Sequence, residues 1–327
     1  MAASRAKSKL FMSCDLVGST SFKQTQRGWQ KVFLSFYWEF PQFLVDADRA
    51  QTQLDNEKTS FSLWKGVGDE LLFEVDVTTE RQISRAVRVW LAAVGRYEDQ
   101  VLADYKLALK GGAFIATFPG PDSESTIPIS PEDEDSDEAV VVLNDKALTG
   151  QRRTRRYLYD YFGPSIDTGF RVIGRAERRY FTLSVEVAWA IALAAHAAAP
   201  DDANEKTHVV SDFVFKGSHI LKGVWRAREY PLFAIDRECT DKVNEAVADM
   251  NGERLKAEQI IRVGTACASD EHWPFALYLP ESTHARFQEK PEDVMADLLL
   301  SESTREGAET LVDDEGGESL EDSPPLG

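Results

Sequence analysis

Cysteine is scarce in this 327-residue chain: Cys14, Cys239 and Cys267 are the only three, and no two stand at a Cys-x-x-Cys spacing. That argues against a disulfide framework. With no secretory leader legible ahead of them, a reducing, cytoplasmic setting is expected, with Cys14 as a core thiol. Long apolar runs are absent too. The most apolar stretch, around Val185 to Ala199, is alanine-rich and interrupted by Glu186 and His196, short of the roughly 20 residues that span a bilayer. A soluble protein without membrane attachment is expected. Positive charge is in deficit, with 37 Lys and Arg against 55 Asp and Glu and a formal net charge of −18. Binding to nucleic acid at large or to an anionic membrane needs a basic face and counterion release, so both are disfavoured. A local basic pocket for a small polyphosphate stays compatible with this balance. What is present is a 43% hydrophobic, globular composition, enough to bury one large core or two smaller ones.

Two stretches organise the rest. In Leu10-Phe11-Met12-Ser13-Cys14-Asp15-Leu16-Val17-Gly18-Ser19-Thr20, residues 10, 12 and 14 alternate with 11, 13 and 15, the period of a strand. The strand ends on a carboxylate and runs into a Gly-Ser-Thr turn that opens a helix. The unused N–H groups of that helix start, from Val17 through Thr20, are suited to phosphate oxygens. In Trp64-Lys65-Gly66-Val67-Gly68-Asp69-Glu70-Leu71-Leu72-Phe73, two apolar strands meet at a glycine turn that lifts Asp69 to a hairpin tip. Taken singly, each stretch is an ordinary turn. Together and in this order they read as one site, in which Asp15 and Asp69 suit hard divalent cations that keep water and phosphate oxygens in their shell.

Between and beyond these stretches the pattern alternates. The first eight residues read as a flexible lead-in. Trp29, Phe33, Phe36, Tyr37 and Phe40 fall at helical spacing until Pro41, expected to bend or interrupt the helix. A hairpin of 61–65 and 70–75, a helix over 80–102 and a strand over 107–117 follow. The proline, serine and acid run of 119–150 predicts a mobile acidic loop. Then comes a basic-aromatic run, Arg152-Arg153-Thr154-Arg155-Arg156-Tyr157-Leu158-Tyr159-Asp160-Tyr161-Phe162. A helix from about Ser165 carries Asp167 and Arg171 four apart on one face, which read alone is an exposed salt bridge. A strand over 180–183, a helix from Ser184 and strands over 221–226 and 231–235 complete the compact part. The order predicts an α+β domain with a central, mostly antiparallel sheet and flanking helices. The expected division is a domain over 1–237, an appendage over 238–290 carrying a helix around 241–256 and an aromatic-proline segment, and an acidic disordered tail over 291–327.

Across residues 8–237 these pieces resemble the catalytic domain of class III nucleotidyl cyclases. The resemblance implies Asp15 and Asp69 as ligands of two divalent metal ions, Mn2+ or Mg2+, with a backbone carbonyl from Leu16. It implies Lys65 and Asp160 as readers of the base and Arg155 on the triphosphate. It further implies Asp167 at the ribose-orienting position, Arg171 as the transition-state arginine, and Lys222, in Leu221-Lys222-Gly223, on phosphate. In the family, each site is shared between two subunits of a head-to-tail homodimer. The chain departs from the pattern in having Asp167 where asparagine is usual, and in the length of 119–150.

The aromatic residues around Asp160, the Phe-Tyr-Trp-rich first helix and the aromatic-proline segment resemble, more narrowly, the stand-alone pyrimidine cyclases of bacterial Pycsar antiphage systems. That likeness implies UTP as substrate, cyclic UMP as product and a separate cyclic-nucleotide-responsive effector. Lys65 with Asp160 fits adenine, cytosine and uracil alike, so cytidylate and adenylate cyclases stay open as alternatives. Gly68-Asp69-Glu70 also matches part of the GGDEF signature of diguanylate cyclases, a domain with no use for the 160–171 segment or Lys222. An inactive, nucleotide-sensing cyclase-like dimer is the alternative of another class.

Overall fold

The computed structural model describes residues 6–130, 136, 138–150, 156–198, 212–252 and 254–302. The chain divides into two compact units, Met1–Ser123 with Tyr161–Pro291 and Glu124–Asp160 with Glu292–Gly327.

The first unit is built on strand β1 (Lys7–Val17), which starts inside the expected lead-in. Its even-numbered side chains from Leu10 to Leu16 enter the larger core, while Phe11 enters a smaller one on the opposite face. Burial on both faces makes β1 almost continuously inaccessible, as a central strand should be. After the short helix α1 (Ser19–Thr25), helix α2 (Gln30–Asp55) continues without a break through Pro41. The expected interruption does not occur. Phe36 and Phe40 before the proline and Leu44 and Ala47 after it are buried in the same core. Farther along α2, Asp48 and Asp55 grip Arg85 at 2.6 and 2.9 Å. Packing and this buried ion pair outweigh the backbone hydrogen bond that proline cannot make.

Strands β2 (Ser62–Val67) and β3 (Glu70–Val77) form the expected hairpin, and helix α3 (Glu80–Tyr97) follows. The expected strand over 107–117 is split into β4 (Ala108–Lys110) and β5 (Gly112–Phe118). The break falls at Gly111, where a Cβ would lie 1.9 Å from the Ser13 carbonyl oxygen, so only glycine lets this backbone cross so close to β1.

β6 (Ser123–Pro128) pairs with β7 (Tyr157–Phe162), their residues 124–128 and 157–160 belonging to the second unit and Ser123, Tyr161 and Phe162 to the first, and helix α4 (Val140–Leu148) lies between them in sequence. The 119–150 region is therefore not an unstructured loop. Thr126 N–H donates to the Asn144 side chain at 2.8 Å and Ile129 N–H to the Arg156 carbonyl at 2.9 Å. The acid run masked the Val140–Leu143 segment of this helix in the sequence pattern.

Back in the first unit, helix α5 (Pro164–Ile173), strand β8 (Tyr180–Leu183) and helix α6 (Val185–Ala197) fall where expected, α6 capped by Ser184. The last two strands are β9 (Phe213–Ile220) and β10 (Glu229–Asp236). Residues 221–226 are not a strand but a turn, in which the Val224 N–H donates to the Leu221 carbonyl. β9 is an edge strand with an alternately exposed, partly polar sequence, so it carried a weaker apolar signal than the turn after it.

The main sheet runs β2-β3-β1-β5-β8-β10-β9 with β4 beside β1, antiparallel throughout except for β5 with β8. α2, α3 and α6 contribute to the larger core and α5 packs on the smaller. Among the described residues no helix is long and apolar enough to cross a membrane.

Residues 238–291 belong to this unit rather than forming an appendage. After helix α7 (Lys242–Asn251), helix α8 (Ala257–Ala268) packs on α6, and Leu277, Leu279 and Phe287 are buried in the larger core. Trp273 stacks on Tyr230 with ring centroids 5.7 Å apart. The expected helix over 241–256 is thus shorter, ending at Asn251, and a second one follows it. Of the expected disordered tail, 294–302 is helical and 303–327 lies outside the described residues.

Candidate active site

Antiparallel pairing sets Asp15 opposite Glu70 of β3 and, on its other side, opposite Lys110 of β4. Directly opposed side chains share a sheet face. The three residues therefore form one charged row, on the face that also carries Phe11 and Leu72. The Lys110 ammonium lies 3.1 Å from Asp15 Oδ2. Asp69 sits in the β2–β3 turn, reached through Gly68 with φ +63°, a conformation that disfavours side chains. The turn is pinned twice. The Leu16 N–H donates to the Asp69 carbonyl at 3.3 Å, and the Tyr37 hydroxyl of α2 donates to the Gly68 carbonyl. This places the Asp69 carboxylate beside Asp15, close enough to act on its ionisation, and within 3.7 Å of the Lys23 ammonium.

The electrostatics follow from that crowding. Burial pushes the Asp15 carboxyl above its ordinary pKa; Lys110 pulls it back and neighbouring Asp69 adds to the rise. Burial likewise pushes Glu70 up, with the Asp15 and Asp69 charges adding. Among the described residues, no group of three or more His, Cys, Asp or Glu side chains is arranged to hold a metal. The donor set is a pair of carboxylates, and it fits a hard divalent ion that draws its other ligands from water and phosphate. The two lysine ammoniums already drawn onto those carboxylates mark the same spot as one that calls for positive charge.

At the end of β1, Val17 leads into Gly18, which has φ +82° and caps α1. Ser19 is buried and Thr20 exposed. No side chain caps this helix, whose N-cap Gly18 stands three residues after Asp15, so its first-turn amides have no side-chain acceptor at the N-cap. In β2 a register shift between Leu63 and Lys65 turns Trp64 into the smaller core. The Lys65 ammonium rides on the Trp64 ring at 4.0 Å and lies 5.6 Å from Phe170. Tyr161 packs against the same indole at 5.2 Å and against Phe11 and Phe118 at 5.2 and 5.1 Å.

Other sequence-predicted residues are not in this cluster. Asp167 and Arg171 stand on the side of α5 away from the sheet, since Ser165, Ile166, Thr168, Gly169, Val172 and Ile173 are the buried ones. They do not form the side-chain salt bridge that their spacing suggested: Arg171 donates to the Asp167 main-chain carbonyl. Lys222 is exposed in the turn after β9. β9 is four strand steps from β1, or about 19 Å at the usual spacing, beyond reach of one lysine. Asp160 belongs to the second unit, half-buried in β7, where its carbonyl accepts from Ser125 Oγ at 3.2 Å. Arg155 lies outside the described residues.

Glu70, Lys110 and Lys23 were not singled out from sequence. Glu70 was accessible in principle, because pairing Asp15 with the hairpin sets it opposite. The lysines carry no local signal.

No family model matches the chain, and no curated protein matches it. Among solved structures, it is similar to the adenylyl cyclase CyaB from P. aeruginosa, at 12% identity and TM-score 0.47 over 71% of this chain and 94% of that one. It is also similar to the guanylyl cyclase Cya2, at 13% identity and TM-score 0.42 over 70% of this chain and 92% of that one. A third is the guanylate cyclase domain of RhGC from Catenaria anguillulae in complex with GTP, at 10% identity and TM-score 0.42, covering 72% of this chain and all of that one.

Proposed function

We propose that this protein is a cytoplasmic, divalent-metal-dependent nucleotidyl cyclase that converts UTP to 3′,5′-cyclic UMP and pyrophosphate. In this reading it is the second-messenger synthase of an antiphage system and signals to a separate cyclic-nucleotide-responsive effector. The observation that carries the catalytic part is the meeting of Asp15 and Asp69, from separate segments, at the end of β1 and beside an uncapped helix start.

Cyclisation forms a bond from ribose O3′ to the α-phosphorus, breaks the bond from that phosphorus to the bridging oxygen, and releases the hydroxyl proton to water. Asp15 and Asp69, with the Leu16 carbonyl, would hold two Mn2+ or Mg2+ ions, which supply charge for the triphosphate and acidify the 3′-hydroxyl. Amides from Val17 to Thr20 receive phosphate oxygens. Arg171, Lys222 and Arg155 stabilise charge developing on the phosphates by preorganised electrostatics. Asp167 orients the ribose. Because Asp167 and Arg171 face away from the sheet that carries Asp15, and Lys222 stands beyond reach across it, these groups act on the site of a second copy. The active unit is a homodimer with two shared sites.

The base is read by Lys65 and Asp160. Trp64 beneath the Lys65 ammonium, backed by Tyr161, fills space with aromatic carbon and favours a one-ring base over a purine. The test is an equimolar mixture of the four nucleoside triphosphates with Mn2+, its products quantified by mass spectrometry. Cyclic UMP is expected to predominate. Predominant cyclic CMP would overturn the uracil assignment, a predominant purine product the pyrimidine assignment, and no cyclic product the cyclase reading.

A further inference from the structure

Three lysines of the first unit meet carboxylates on or near β1, and they do so in two different ways. Lys9 is 9% exposed and is locked between Glu74 and Asp76, at 2.9 Å from each. Lys110 and Lys23 are 39% and 32% exposed, and among the described residues each reaches a single carboxylate, Asp15 at 3.1 Å and Asp69 at 3.7 Å. Those two carboxylates are the ones assigned to metal binding. Lys23 also lies over the Phe33 ring at 4.9 Å, but an ammonium with one carboxylate partner and a partly solvated stem gives up that partner at far less cost than one buried between two. Both lysines also stand beside the residues assigned to metal and phosphate. Lys23 is on α1, just beyond the Gly18-Ser19-Thr20 turn, and Lys110 is in the row with Asp15.

We propose that Lys110 and Lys23 are exchangeable counter-ions. Each neutralises one aspartate before a divalent ion binds, and each moves to triphosphate oxygens when the ion takes that aspartate. This rests on the cyclase reading and adds positioning residues to it. The device keeps two crowded carboxylates together without metal, and it makes metal and nucleotide binding cooperative, because the charge released by one is used by the other.

The full-length protein is titrated with Mn2+ alone, free Mn2+ being followed by electron paramagnetic resonance. It is then titrated with inorganic tripolyphosphate at saturating Mn2+. Lys110→Met should tighten Mn2+ binding about threefold to fivefold, the worth of a half-exposed ion pair, and weaken tripolyphosphate binding by about tenfold. Lys23→Met should do the same more weakly, and Lys110→Arg should preserve both affinities. Thermal melts establish that each variant folds. If Lys110→Met leaves Mn2+ binding unchanged or weaker while Asp15→Asn abolishes it, the lysine is merely structural; the counter-ion proposal falls and the metal site stands. If Asp15→Asn binds Mn2+ as the parent does, both fall.

Discussion

At the β2–β3 end of the main sheet, charged groups are held by contacts within one chain. Asp15 faces Glu70 and Lys110 across strand pairs, and the Asp69 turn is pinned through Leu16 and Tyr37. Over α5 and beyond β9, Asp167, Arg171 and Lys222 stand on outward surfaces, and the only described partner of the Arg171 side chain is a carbonyl of its own helix. One region is acidic and closed by register; the other is presented toward solvent. The shared-site proposal joins the two regions through a second copy, whose outward groups would complete the closed region of its partner.

The largest effect should come from breaking the closed region. Asp15→Ala or Asp69→Ala is expected to lower cyclic nucleotide formation by more than about 10³-fold, with the melting temperature close to that of the parent, because both side chains are partly solvated. Retained activity in either variant would remove the carboxylates from the chemistry.

The outward region is tested next. Arg171→Ala should cost about 10² to 10³ in rate, the usual loss for one transition-state donor. Mixed with Asp69→Ala under conditions of subunit exchange, it should recover about a quarter of parental activity, since half the dimers would then hold one intact site. Exchange proved by labelled subunits, without recovery, would confine the site to one chain.

A smaller effect should come from the crossing that lets β4 and β5 flank β1. Gly111→Ala places a methyl 1.9 Å from the Ser13 carbonyl. Backbone must shift, and a loss of about 1–3 kcal/mol in urea unfolding is expected, with the displacement felt two residues on at Asp15.

The smallest effect concerns how α5 is mounted. Asp122 is fully buried and accepts from Thr117 and Ser165 N–H groups at 3.2 and 2.9 Å, the latter at the start of α5. Burial pushes its carboxyl up to about 6 from an ordinary 3.8. The folded state therefore holds a proton that the unfolded chain has already released. The stability this group contributes is full below about pH 4 and is lost as pH rises through about 6. Asp122→Asn cannot titrate, so the stability gap between parent and variant should narrow as pH rises over that window. A gap that stays constant from pH 4 to 7 would show the carboxyl is not buried as described.

Much of this protein was legible from local pattern. The period of two in residues 10–15, the glycine turn before Asp69 and the helical stripe of 80–94 each follow from short-range geometry, and they sufficed for the β1 strand, the hairpin and α3. Where the pattern misled, an interaction distant in sequence had usually won, α4 being the exception. Arg85 and buried phenylalanines carry α2 through Pro41; Gly111 yields to the passing Ser13 carbonyl; an acid run hid α4; and Ile260, Cys267, Leu277, Leu279 and Phe287 join the core, where Trp189 and Tyr230 present aromatic surface to Phe287 and Trp273. The same division holds for the candidate site. Asp15 and Asp69 could be read from sequence as one site, since each ends or turns a strand and the two stretches occur together in this order. That Glu70 and Lys110 flank Asp15, that Lys23 pairs with Asp69, and that Arg171 looks away from them were decided only by strand register and helix facing, because charge pairing acts through space and leaves no period along the chain.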